Sequence, residues 1–345
     1  MQFNRVVIAV DFSAASLAAA RWVAMQLAPR AELALVHVLS EPVAPSFVRP
    51  HLPSFEEVAA ELTPALHGAL RGLAGVVGSA RTTIKLLTGT PANALATFGS
   101  EFGADLICLG RRRRRRGAAR FGDTTAQRLL AETRIPVLVV PTARPSLPAR
   151  ILTAVDDQPR NSTELRAATS LAQSYEAALE VLHVLAPELP RLVSLALTPN
   201  GTPPAVAAHT DLGESEPAEL YLDGKARLES LTHDWLASQL RKVGAGARRV
   251  TTHVRIGDPG EQIVKFVHAA GADLVLIGRG RDDPSVSVSG SMQSTDTAFP
   301  LGSTSRLVLW ASPCPVLVLP PAARPAAPEP SRRSDSRRFH FGTAA

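Results

Sequence analysis

Two tandem copies of a doubly wound, five-stranded parallel-sheet α/β domain, Rossmann-like in build, are predicted by three features of this 345-residue chain. Five short blocks of the first half return in the same order in the second. RVVIAVD (5–11) returns as RILTAVD (150–156), LALVHVL (33–39) as LEVLHVL (179–185), and TGTPANAL (88–95) as IGDPGEQI (256–263). GADLICLGR (103–111) returns as GADLVLIGR (271–279), and IPVLVVP (135–141) as CPVLVLP (314–320). The strand-like blocks are continuous Val, Ile, Leu and Ala runs, the pattern of strands buried on both faces, and such strands belong to parallel sheets. Helix-length stretches separate them, so strand and helix alternate five times in each copy.

The helices are expected at 14–27, 55–77, 92–102 and 124–133 in the first copy, and at 163–177, 218–242, 261–270 and 303–312 in the second. The spacing between matched residues locates two insertions. Asp11 and Asp156 are 145 apart and His37 and His183 146 apart, whereas Gly89 and Gly257, like Gly110 and Gly278, are 168 apart, and Pro136 and Pro315 are 179 apart. About 22 residues therefore enter between the second and third strands and 11 after the fourth. The first insertion, near 187–217, is rich in Pro, Ala and Thr and reads as a mobile surface loop. The second, 282–301, is rich in Ser, Thr and Asp. The domains are expected at 1–143 and 144–321, with a disordered tail at 322–345 that has little to pack.

Composition excludes several classes. Apolar residues at 45% and charged residues at 20% are those of a soluble globular protein, and no apolar run reaches the span of a bilayer. The opening MQFNRVVIAVDFS lacks the shape of a signal peptide, so the expected location is the cytoplasm. The two cysteines, Cys108 and Cys314, form no CxxC or zinc spacing and read as buried thiols, and no metal site is expected. Net charge is +6, and the run Arg111, Arg112, Arg113, Arg114, Arg115 and Arg116 accounts for all of it. The high pI is a local fact about one loop.

The five blocks in this order resemble the universal stress protein family in its tandem form, over residues 3–142 and 149–321. VDFSAAS is similar to the family's VDxSxxS opening; the third strand runs into a G-T-P or G-D-P turn; ADLICLG and ADLVLIG match the fourth strand, and PVLVV and PVLVL the last. The resemblance implies strand order 3-2-1-4-5, pairing of the two domains through their last strands as an intramolecular pseudo-dimer, and, in some members, ATP at the carboxyl ends of the strands. Exposed apolar edges such as 137–140 and 316–319 need covering in any case. A homodimer is a further candidate assembly.

Physics selects the same ligand position. Ligands of open α/β sheets sit where strand order reverses, here between the first and fourth strands, beside Asp11 and Asp156. A carboxylate there can accept hydrogen bonds from a ribose or an adenine amine, and it can equally cap the helix that follows. The resemblance further implies a phosphate loop G-x2-G-x9-G-[ST] after the fourth strand, whose glycines admit backbone N–H groups to phosphate and whose Ser or Thr opens a helix. The first copy has Gly110, then Arg113 and Asp123 where glycines are expected, then Thr124. The second has Gly278, Arg281 at the second glycine, and a long gap before Gly302 and Ser303. Both copies of the motif are degenerate.

Six successive guanidiniums repel one another, so Arg111–Arg116 either fork onto a nucleotide, polyphosphate or nucleic-acid backbone or form a solvated loop. His37 and His183 end the second strands without an identifiable catalytic partner and read as histidines satisfied by backbone. No catalytic residue is assigned. The expected function is a stress-response binding or regulatory module that is not an enzyme and requires no cofactor, with ATP the candidate ligand. The alternatives are a nucleotide switch and a polyanion binder.

Overall fold

The computed structural model describes residues 1–41, 52–78, 81–111, 124–142, 146–157, 161–187, 189, 216–244, 249–280 and 301–320. Among these, the strands are β1 (Arg5–Ala9), β2 (Glu32–Leu39), β3 (Thr82–Thr88), β4 (Leu106–Arg111) and β5 (Val137–Pro141) in the first half. The second half has β6 (Arg150–Val155), β7 (Ala178–Leu185), β8 (Val250–Ile256), β9 (Leu274–Gly278) and β10 (Val316–Leu319). The helices are α1 (Ala14–Trp22), α2 (Phe55–Val77), α3 (Pro91–Phe102) and α4 (Thr125–Glu132), then α5 (Asn161–Ser174), α6 (Glu216–Lys242), α7 (Pro259–Ala270) and α8 (Ser303–Ala311). Every helix expected from the sequence is present, most with ends moved by one to three residues. The stretch 14–27 divides: α1 gives way to a π-helical turn over Val23–Leu27, closed by Ala28 N–H donating to Val23 O at 2.7 Å.

The strands form one sheet in the order β3-β2-β1-β4-β5-β10-β9-β6-β7-β8. Each half has the expected order 3-2-1-4-5, with parallel neighbours throughout. The halves meet through β5 and β10, which run antiparallel with Val139 opposite Val316, Leu138 opposite Leu317 and Val137 opposite Val318. That junction makes the intramolecular pseudo-dimer, and it leaves the apolar last strands without a free edge. The true edges, β3 and β8, carry exposed Lys85 at mid-strand and exposed Arg255 next to the strand's end, which discourages pairing with another chain.

Successive strand residues point to opposite faces, so the sheet has two cores, and both cross the junction. Leu106 and Leu138 share one core with Leu274 and Leu317, while Ile107 and Val137 share the other with Val275 and Val316. All are buried, and each such side chain contributes on the order of 1.5–3 kcal/mol relative to exposure. The repeated GAD is explained at the amino ends of the strands. Asp105 accepts from Asn4 N–H at 2.6 Å and Arg5 N–H at 3.3 Å, where β1 begins. Asp273 accepts from Ala149 N–H at 3.0 Å and Arg150 N–H at 2.9 Å, where β6 begins.

The arginine that ends each GADLxxxGR block reaches across the junction. Arg111 donates to the carbonyls of Leu309 and Trp310, both at 2.6 Å, and of Ser312 at 2.5 Å, closing the carboxyl end of α8. Arg279 donates to Leu130 O at 2.5 Å and, at the 3.5 Å limit, to Thr133 O at the end of α4. Cations are favoured at helix carboxyl termini, where the last carbonyls lack intrahelical donors. Partial burial, and secondarily the charge of Arg134, lower the Arg279 pKa from its ordinary value.

On the opposite side of the junction, Trp22 Nε1 donates to Ser146 O at 3.0 Å and the Tyr175 hydroxyl donates to Leu27 O at 2.6 Å. Burial pushes the Tyr175 pKa up from 10.0 to about 12. An unfolded chain releases this proton near pH 10 and the folded chain retains it to about 12, so the contact stabilises fully below pH 10 and its contribution is lost as pH rises toward 12. Tyr175→Phe is expected to cost about 1 kcal/mol at pH 8 and to flatten the stability slope above pH 10, as read by urea denaturation at several pH values.

The expected loop at 187–217 and the insertion at 282–301 lie almost wholly outside the described residues, as do the boundary at 143–144 and the tail at 322–345. Glu216, in the acidic end of the first insertion, already belongs to α6, and Leu301, the last residue of the second, is buried.

Candidate functional site

A cavity of ≈ 150 Å³ lies at the carboxyl ends of β1 and β4, where the strand order reverses. Its floor is apolar, with Ala9 and Val10 following β1 outward, Val36 from β2, Leu109 from β4 and Leu95 from α3. Polar groups reach it from four elements: Asp11 beyond β1, Ser16 in α1, His37 in β2 and Thr125 at the start of α4. An apolar recess with a few convergent polar groups is the general form of a small-molecule site.

Asp11 does both things its sequence position allowed. It lines the cavity, and its Oδ1 accepts from Ser13 N–H at 3.0 Å and from the Ser13 hydroxyl at 2.5 Å, ordering the turn into α1. Ser13 in turn caps α1 by accepting from Ser16 N–H at 3.3 Å, and the Ser16 hydroxyl accepts from Asp11 N–H at 3.3 Å. The VDFSAAS block is thus one connected turn. Asp156 is exposed after β6, and residues 158–160 that lead from it to α5 lie outside the described residues.

His37 is held by Nδ1 donating to Val10 O at 2.6 Å, and its ring lies 5.0 Å from that of Phe12. His183 repeats this with Val155 O at 2.8 Å, its ring 5.2 Å from Trp235. A carbonyl only accepts, so Nδ1 carries the proton in both. The backbone-satisfied reading holds in both copies: each histidine ties the end of the second strand to the end of the first.

Of the first phosphate motif, Gly110 and Thr124 are described, whereas Arg113 and Asp123, like Arg112 and Arg114–Arg116, lie outside the described residues. Gly110 lines the cavity, and its smallness has a packing cause. A Cβ there would stand 2.3 Å from Ser16 N and 2.4 Å from Ala15 C, the backbone of α1. Thr124 forms a capping box: its Oγ1 accepts from Gln127 N–H at 3.3 Å, and Gln127 Oε1 accepts from Thr124 N–H at 3.0 Å. Its neighbour Thr125 is the residue that faces the cavity. Arg111, read from sequence as the first member of a polyanion run, has its guanidinium at the end of α8.

In the second copy, Gly278 and Gly302 come close together through Arg279 and Gly280. Gly302 N–H donates to Arg279 O at 3.2 Å, and Ser305 Oγ donates to Gly278 O at 2.9 Å. Gly302 is the N-cap of α8 without a side-chain cap, and Ser303 is the exposed first residue of that helix. The wall facing Gly278 is the carboxylate of Glu164, a residue only 6% exposed in the first turn of α5.

Both cysteines are free thiols. Burial pushes the Cys108 thiol far above its ordinary range, and burial foremost raises Cys314 to about 11, so neither is a thiolate nucleophile near neutral pH. Among the described residues, no group of three or more His, Cys, Asp or Glu could hold a metal ion, and no helix is long and apolar enough to cross a membrane.

Sequence reasoning missed Ser16, Leu95 and Thr125 as lining residues and Glu164 as the second-copy wall. Ser16 had a signal, as the second serine of VDFSAAS. Leu95 ends the repeated TGTPANAL block, and Thr125 follows the hydroxyl position already singled out. Glu164 had none, because an acidic residue in a first helical turn is ordinary.

Comparison with known proteins agrees with this geometry. Residues 2–141 and 149–320 each match the universal stress protein family. Among solved structures, a universal stress protein from Archaeoglobus fulgidus DSM 4304 is similar over 92% of this chain and 96% of its own, at 16% identity and a TM-score of 0.55. A functionally unknown protein from Pseudomonas aeruginosa PAO1 is similar over 92% of this chain and 93% of its own, at 16% identity and a TM-score of 0.53. At such identities the likeness is one of fold. No match is found among curated proteins. With nearly every described strand and helix inside the two matched segments, the chain belongs to the universal stress protein family, as a tandem two-domain member.

Proposed function

We propose that this protein is a cytoplasmic binding and regulatory module of the stress response that works by occupancy and not by turnover, and that its ligand is an adenine nucleotide held in the first half. The observation that carries the reading is the ≈ 150 Å³ cavity at the β1–β4 crevice, apolar beneath and polar at its rim. A volume of this order holds one six-membered aromatic ring, so a fused purine would enter it in part and leave the ribose and phosphates at the rim. Asp11 would accept from ribose hydroxyls or an exocyclic amine, and the amino end of α4, with Thr125 at its mouth, would favour the anionic part.

Thermal unfolding with ATP tests this. Ligand binding to the folded state stabilises by RT ln(1 + [L]/Kd), about 2.7 kcal/mol at a hundredfold excess over Kd. Millimolar ATP is expected to raise the melting temperature by a few degrees, with no ADP released over hours. Leu95→Trp, which fills the cavity, is expected to abolish the shift. An unmoved melting curve in the unmodified protein would remove the nucleotide reading.

A further inference from the structure

We propose that of the two matched crevices only the first takes the ligand, because Glu164 fills in the second half the place that the first half keeps open; this rests on the nucleotide reading of the first cavity. The two crevices are built from matched strands, and their fourth strands carry matched glycines at or next to their carboxyl ends, Gly110 and Gly278. What faces those glycines differs. At Gly110 the facing atoms are backbone, the peptide between Ala15 and Ser16, and both of those side chains are small. At Gly278 the facing atoms are a side chain. Glu164 Oε1 stands 2.3 Å from where a Cβ on Gly278 would be, and the Glu164 Cδ and Cγ atoms follow at 3.2 and 3.5 Å.

The strands accommodate this substitution. β1 and β4 stay paired over four positions, to Ala9 opposite Leu109, whereas β6 and β9 stay paired over three, to Thr153 opposite Leu276. The second crevice therefore parts one step earlier, below Gly278, and the carboxylate lies against that opening. Its placement in the first turn of α5 suits the positive end of that helix. A phosphate admitted to this crevice would have to take the space that the Glu164 side chain fills.

The amino end of α8 is partly engaged within the protein. Gly302 N–H, at the amino end of α8, donates to Arg279 O, and a Cβ on Gly280 would stand 3.2 Å from Gly302 Cα, so Gly280 and Gly302 lie against one another. Ser305 Oγ donates to Gly278 O. The halves thus divide the labour: the first binds, while the second completes the sheet and, through Arg279, closes the helix α4 whose opening residue lines the first cavity.

Isothermal titration with ATP separates the outcomes. The unmodified protein is expected to bind one ATP per chain and Leu95→Trp none. Leu95→Trp combined with Glu164→Ser is expected to regain binding at least tenfold above the single variant, from the second half. Glu164→Gln in the same background keeps the side-chain shape and removes the charge, which guards against a serine variant that fails to fold. Two ATP per chain in the unmodified protein, or one retained by Leu95→Trp, would overturn the inference. So would silence from both Glu164 variants when folded by circular dichroism. No binding to the unmodified protein, with binding gained by Glu164→Ser, would sink the first-half reading and leave the role of Glu164 standing.

Discussion

Gly110→Ala is expected to destabilise the protein by roughly 3 kcal/mol, and Gly278→Ala, at the matched position of the second copy, by about 1 kcal/mol. The contrast follows from what each new methyl would strike. At Gly110 it would lie 2.3 Å from Ser16 N and 2.4 Å from Ala15 C, atoms of a helix backbone anchored by buried Ala19, Ala20 and Trp22. Nothing there yields without moving α1 off the sheet. At Gly278 the nearest atom is the far end of a Glu164 side chain, which can rotate, and the next is 3.2 Å away. Displacing α1 also distorts the cavity wall, so Gly110→Ala should lose the ATP-dependent thermal shift as well. Urea denaturation of the two variants reads the difference, and equal costs would show that Gly110 is retained for some reason other than the approach of α1.

Arg111→Met is expected to cost about 2 kcal/mol, and Arg279→Met about 1 kcal/mol, through the junction between the halves. Arg111 satisfies three carbonyls at the end of α8, all within 2.6 Å, and its removal leaves part-buried acceptors unpaired in the other half of the molecule. Arg279 donates to Leu130 O at 2.5 Å and, at the distance limit, to Thr133 O. Lysine carries the charge without the fork and is expected to recover less than half of the loss at position 111. The two sites close different helices, α8 and α4, so their costs should add within about 0.5 kcal/mol in the double variant. Denaturant midpoints measure this, and limited proteolysis should reveal earlier separation of the halves. A wild-type midpoint in Arg111→Met would mean that these bonds bring no net stability.

The same residue illustrates what the sequence made legible and what it hid. The repeated blocks and their continuous apolar runs made a parallel α/β sheet legible in each half, and the family resemblance implied the order 3-2-1-4-5 and the pairing through the last strands that the structure shows. The matched histidines were legible too, since a residue kept at one strand end in both copies, with no catalytic partner, serves the backbone. Arg111 was hidden by the five arginines after it, which drew it into a charge run. Yet Arg279 ends the matched block without any run, and a residue shared by both copies beside a diverging loop points to a shared structural task. Thr124 and Gln127 spelled a T-x-x-Q capping box that was read only as a phosphate motif. The wall at Gly278 could not be read in advance, because it depends on which way the side chain of Glu164 turns and not on its position in a helix.

The central claim, a pseudo-dimer with its working ligand pocket in the first half alone, is tested most directly by photolabelling the intact protein with an azido-adenine nucleotide and mapping the modified peptides. The label is expected on peptides carrying Val10–Val38, Pro91–Leu95 or Leu109–Thr125, to be competed by unlabelled ATP, and to vanish in Leu95→Trp. Competed label of equal intensity on second-half peptides around Glu164 and Gly278 would contradict it.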